Sequence, residues 1–188
     1  MQNVELSDLT RALLGDIAPP ELGPGPRPGV HSQARVEALV NERLGALPLP
    51  GQTRCAIEAL VLLWHDHLDA AHRIAQALET RDGSFVHAIM HRREPDYWNS
   101  KYWWRRVGVH PCFAELARRS SEFLHAADDS ALARQIIPGG QWDAFAFVDA
   151  CEAAAGHPPN DPLVLRLRQI QRIETETALQ HWLRPVLQ

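Results

Sequence analysis

The sequence predicts an all-α fold: an irregular single-domain helical bundle around a long central helix, with a proline-rich N-terminal arm. Three observations predict it. Alanine and leucine abound while β-branched residues are few, a composition that favours helix. Apolar residues recur at spacings of three and four, the period of a helix with one buried face. No stretch alternates apolar and polar residues as a half-buried strand does. A chain of 188 residues is long enough for one core of ordinary size.

The elements follow in order. Ser7–Leu14 reads as a short helix stopped by Gly15, which makes 1–16 an N-terminal helical segment. Residues 17–32 form a Pro/Gly-rich arm, because five prolines between Pro19 and His31 remove donors and fix φ. That arm is either mobile or laid across the domain. Residues 33–188 form the helical domain, opened by a helix over Gln33–Leu44 and the Pro48–Gly51 turn. The longest periodic segment, about 53–80, carries Ile57, Leu60, Val61, Trp64, Leu68, Ala71, Ala75 and Leu78 on one stripe. It is taken as the central helix. Arg81-Asp82-Gly83 reads as a turn, with Ser84 capping a short helix to Arg93. Pro95 then starts a second short helix to about Val107. Pro111 opens another, Ser130–Ile136 is shorter, and Trp142–Ala155 is alanine-rich. Asp161-Pro162 is a cap followed by a first-turn proline, starting a last helix to about Leu183.

Bulk properties narrow the function. A formal charge of −4 gives no pull toward nucleic acid or an anionic membrane. Cys55, Cys112 and Cys151 form no pair motif and fit free thiols in a reducing compartment. The N-terminus lacks the pattern of a secretion signal, and the longest apolar run, Leu60–Trp64, is too short to span a bilayer. The expectation is a soluble, cytoplasmic protein. Neither a glycine-rich phosphate loop nor a G-x-S-x-G elbow is present, so nucleotide-triphosphate and serine-hydrolase chemistry have no support.

Chemistry concentrates between Gly83 and Pro111. This run holds both tyrosines, three of six tryptophans, three of ten histidines, four arginines and the one lysine. Read on helices, His65, Asp69 and His72 stand at i, i+4 and i+7, within about 60° of one another. His87, His91 and Glu94 repeat that spacing on the next helix. Imidazoles one turn apart lean the same way and can share a metal. His65, Asp69, His72, His87 and His91 are therefore the candidate ligands of a divalent ion: zinc, iron, manganese or nickel. His87 and His91 have the spacing of the zinc proteases without their glutamate after the first histidine. Asp69-x-x-His72 has the di-iron bundle spacing in one copy, where two are expected. Neither fixes a family.

Beside these residues Trp98, Tyr102 and Arg105 share one helical face, and Tyr97, Lys101 and Trp104 another. Aromatic faces stack on sugars and bases, while guanidinium forks grip carboxylate or phosphate. Arg92, Arg93, Tyr97, Trp98, Tyr102, Arg105 and His110 are the candidate ligand-binding residues. Lys101, if buried among tryptophans, could act as base or nucleophile, and Glu94 is the other catalytic candidate, a carboxylate that could also help hold the metal. The competing explanation is structural: histidines and acids as a hydrogen-bonded seam, tryptophans as core. Three functions are ranked on these grounds. A metal-dependent enzyme for a small anionic or sugar-like substrate comes first, a non-catalytic binding module second, and an oligomerisation or partner interface third.

Overall fold

The computed structural model describes residues 2–187, with side chains from Leu6 onward. It is all helical, and the described residues include no strand. Ten α-helices follow one another: α1 Gln2–Leu14, α2 Gln33–Leu44, α3 Gly51–Trp64, α4 Leu68–Gln76, α5 Arg81–Arg93, α6 Tyr97–Val107, α7 Phe113–Ala126, α8 Ser130–Ile136, α9 Ala144–Ala153 and α10 Pro162–Leu183. Side-chain caps set most of the starts: Ser32, Asp96, Asp129, Asp143 and Asp161 each accept a backbone N–H from the first turn. None of the helices is long and apolar enough to cross a membrane.

The expected central helix over 53–80 is two helices. It breaks at His65-Asp66-His67, where Asp66 adopts φ 65°. The cause is electrostatic. The Asp66 side chain is 1% exposed and is the shared partner of two buried arginines. Its Oδ1 accepts from Arg93 at 2.6 Å and from Arg27, and its Oδ2 accepts the Arg27 backbone N–H at 2.9 Å. Burying two guanidiniums without that carboxylate would cost several kcal/mol each, which outweighs one left-handed aspartate at about 1 kcal/mol.

The arm between α1 and α2 is laid across the domain, and the same hub fastens it. Gly25 sits so close that a Cβ there would meet Asp66 Cγ at 2.7 Å. Arg93 also donates to Gly23 O at 3.2 Å, and on the other side Arg168 donates to Pro19 O at 2.7 Å. Gln171 donates to Pro20 O and Glu21 O at 3.2 Å.

The helix at the centre is α5. Residues from Gly83 through Arg93 are all buried, whichever way they face. It begins at Arg81, where a turn was expected, because Thr80 caps it by accepting from Gly83 N. Gly83 suits that first turn because a Cβ would come within 2.4 Å of Leu78 Cβ. Helices α4 and α6 pack against α5, α9 against α6, and α10 against α7. Arg92 spans from α5 to α10, donating to Glu174 at 2.5 and 3.1 Å and lying 4.5 Å over the Phe147 ring.

Candidate metal centre

Three imidazoles converge where α4 crosses α5. One ring nitrogen each from His72, His87 and His91 lies within 4.8 Å of the others. The His87 and His91 rings stack one helical turn apart, 4.9 Å between centroids and 14° between planes. His72 meets them edge-on, at 4.7 Å from His87 and 5.3 Å from His91. The sequence places them so because α4 buries only Leu68 and three alanines, so its backbone approaches α5 closely. His87 and His91 are buried, and His72 is half-exposed and forms the mouth.

Helix α6 supplies the wall. Trp103 stacks on His87 at 3.8 Å and 15°, and the Arg106 guanidinium lies 5.3 Å over the same indole. One turn earlier, the Asn99 amide nitrogen sits 3.1 Å from His91 Nε2. At the rim, Glu94 Oε2 is 3.1 Å from His91 Nδ1, and Asp96 stands farther off at 3.9 Å. These partners assign the tautomer: His91 Nδ1–H donates to Glu94, and the Nε2 lone pair accepts from the Asn99 amide, which a metal would displace. A carboxylate holding one nitrogen of a histidine so that the other faces a metal is the usual outer-shell device of such sites.

The electrostatics keep the His87 and His91 rings neutral. Burial, then the neighbouring His91 and His72, lowers His87 to a pKa of about 3. Burial also lowers His91, against the opposing pull of Glu94 and Asp96. Neutral imidazole is the ligand form, so protons compete little for the His87 and His91 nitrogens at neutral pH. His87 Nδ1 is buried with no hydrogen-bond partner, an expensive arrangement for a core histidine. The donor set therefore fits a divalent cation. Nitrogens on one tetrahedral zinc stand about 3.3 Å apart, so the rings must draw in by up to roughly 1.5 Å.

The remaining sequence candidates are distributed around this centre. His65 does not join it. The break at Asp66 turns its ring to α1 and the arm, with Nε2 3.3 Å from Leu13 O and Nδ1 accepting His31 N at 3.3 Å. Asp69 is exposed and lines a cleft under the arm. Glu94 lines that cleft too, besides touching His91. Arg92 and Arg93, expected to grip an anion, are instead held inside by Glu174 and Asp66. Lys101 pairs with Asp149 on α9, about 200° around α6 from the face that bears Asn99 and Trp103. Tyr97 is half-buried against the core. Trp98 at 74% and Tyr102 at 38% exposure lie on the outer face, with Arg105 6.0 Å over the Tyr102 ring.

His110 sits elsewhere, in a buried relay. Its Nδ1 is 2.9 Å from Cys112 Sγ and its Nε2 2.9 Å from Asp82 Oδ1. The two residues face each other despite being two apart, because the chain turns there into α7. The connectivity is that of a thiol, a base and an orienting acid. Burial, however, pushes the Cys112 thiol up to about 12, so it stays protonated.

Asn99, Trp103 and Arg106 were not among the sequence candidates. The signal that could have found Asn99 and Trp103 is their own i, i+4 spacing, the same interval as His87 and His91. No protein-family model, no curated protein and no solved structure matches the chain.

Proposed function

We propose that the protein is a metal-dependent enzyme whose single divalent ion is held by His72, His87 and His91. One observation carries this reading: three imidazole nitrogens gathered within 4.8 Å. Glu94 and Asp96 reach His91 alone, and among the described residues no carboxylate pairs with His72 or His87. The partnerless buried Nδ1 of His87 supports it. Three neutral nitrogen ligands leave a coordination position free, so a bound ion would supply a Lewis acid open to substrate. The chain's own residues do the rest. Glu94 fixes the orientation of His91 and is the carboxylate in contact with the three-histidine cluster. Asn99 offers an amide beside it, and the Trp103 ring shields His87 from water.

Metal analysis of untagged, full-length protein tests this. Close to one equivalent of zinc, iron, manganese or nickel is expected, lost in the His87→Ala, His91→Ala double variant. Less than a tenth of an equivalent in the parent protein, unchanged in the variant, sinks the proposal.

A second reading rests on a separate observation. Trp98 is 74% exposed, unusually bare for its type, and neighbours Tyr102 and Arg105. That surface suits a non-catalytic module for a carbohydrate or a small anionic ligand. Under it, Trp98→Ala abolishes ligand-induced fluorescence change and chelator has no effect.

A further inference from the structure

Beside the three histidines the docked arm leaves a cleft of about 550 Å³, within the size range of small-molecule sites. Its apolar wall is Pro24, Pro26 and Val30 of the arm facing Leu68 of α4. Its charged groups are Asp66, Asp69 and Glu94, and neither lysine nor arginine lines it. Both Asp66 oxygens are already occupied by Arg27 and Arg93. The Asp69 carboxylate, by contrast, has no ion-pair or hydrogen-bond partner among the described residues. Glu94 is shared, facing this cleft while its Oε2 holds His91 Nδ1 at 3.1 Å. The cleft and the three-histidine centre are therefore contiguous through one side chain. No aromatic ring lines the cleft apart from the two histidines, which leaves little for a sugar face to stack on.

We infer that this cleft takes an aliphatic amine, its ammonium group between Asp69 and Glu94 and its methylenes along Val30, Leu68 and the prolines. The substrate class of the proposed enzyme is then an amine-bearing molecule whose reacting group lies beyond Glu94, toward the histidines. This rests on the metal reading above and revises its substrate from anion to cation. The reason is that Arg92 and Arg93, expected to grip an anion, are consumed inside the fold, and Arg105, over the Tyr102 ring, does not line the cleft.

The test is calorimetric titration of the full-length protein, zinc-loaded and chelator-stripped. The probes are putrescine and spermidine, with inorganic phosphate and glucose as the anionic and neutral arms. The diamines should bind, more weakly as salt rises, and phosphate and glucose should not. Asp69→Asn should weaken diamine binding roughly fivefold, and Val30→Trp, which fills the cleft from the arm, should abolish it. Both variants should keep the parent's zinc stoichiometry, which shows that they are folded. Absent diamine heat, equal binding of phosphate, or indifference to both substitutions would overturn the inference while leaving the metal reading intact. Diamine binding in a protein that takes no zinc would do the reverse, removing the enzyme and keeping the cleft.

Discussion

The end of α5 contributes to two buried polar clusters made on different rules. At Asp66 two guanidiniums meet one carboxylate, and at Glu174 a third guanidinium meets another. Opposite charges face each other, the short contacts are filled by the protein, and the arm is fastened as a result. Two residues away, His72, His87 and His91 face one another, bases against bases. Protonated they repel, and neutral, with one donor and one acceptor on each ring, they leave His87 Nδ1 without a partner. Packing gives no reason to bring three imidazoles together, whereas the arginine pairs explain themselves. A buried polar cluster is thus read by whether the charges of its members complement one another, more than by unmatched atoms, since Arg92 Nε and Arg93 Nε lack partners just as His87 Nδ1 does.

The comparison breaks first at its structural half. Asp66→Ala leaves Arg27 and Arg93 buried without an anion and detaches the arm, and should cost about 3–5 kcal/mol in urea unfolding. A loss under about 1 kcal/mol would show that the hub does not hold the arm. The histidine half should behave in the opposite way: with the His87 ring neutral and outside any ion pair, His87→Ala without metal costs only the cavity the ring leaves.

Acid separates the histidines by neighbourhood. Burial, against the opposing hydrogen bond to Leu13 O, lowers His65 to about 4, below its ordinary 6.5. Between those values the unfolded chain takes up the proton and the folded chain does not, so stability rises with pH. The contribution is full above about pH 6.5 and is lost as pH falls toward about 4, on the order of 3 kcal/mol. Denaturation of the parent and of His65→Phe at pH 7.5 and pH 4.5 measures it. The parent should lose more, and equal losses would place the His65 ring in contact with water.

Metal sharpens the other half. Zinc at about a hundredfold its dissociation constant should stabilise the protein by about 2.7 kcal/mol, a rise of about 5–10 °C in Tm. His87→Ala with His91→Ala should remove that dependence. A parent Tm indifferent to zinc and to chelator would reduce the cluster to a packing accident.

How much of this was legible in the sequence varies by region, for physical reasons. The helical class was, since spacing of apolar residues is a local property, and the Asp161-Pro162 start is a local cap. The break at Asp66 was not. Its neighbours continue an apolar stripe, and the groups that force the break, Arg27 and Arg93, come from other parts of the chain. The centrality of α5 was hidden because four of its buried residues are His87, His91, Arg92 and Arg93, which no apolar pattern counts. For the site, His87 and His91 were readable as a pair within one helix. His72 was readable only as a candidate, since its stripe was drawn with His65 on a helix that does not exist as one piece. Glu174, the residue that consumes Arg92, lies too far along the chain for any local rule to couple them.

The smallest effect is expected at Lys101, and it discriminates between two roles for that residue. A buried base among tryptophans would be indispensable to chemistry. In the structure its ammonium instead reaches Asp149 across the α6–α9 contact, with the carboxylate largely in water. An exposed pair of this kind contributes about 0.2–1 kcal/mol, and salt screens part of it. Lys101→Met should therefore shift Tm by no more than about 2–4 °C and leave zinc stoichiometry and diamine affinity as in the parent. Raising salt should shrink even that difference. If Lys101→Met instead abolished diamine binding or metal uptake in a protein of unchanged Tm, the partition of α6 would be wrong. The face bearing Asn99 and Trp103 would then have no claim over the face bearing Lys101 as the wall of the site.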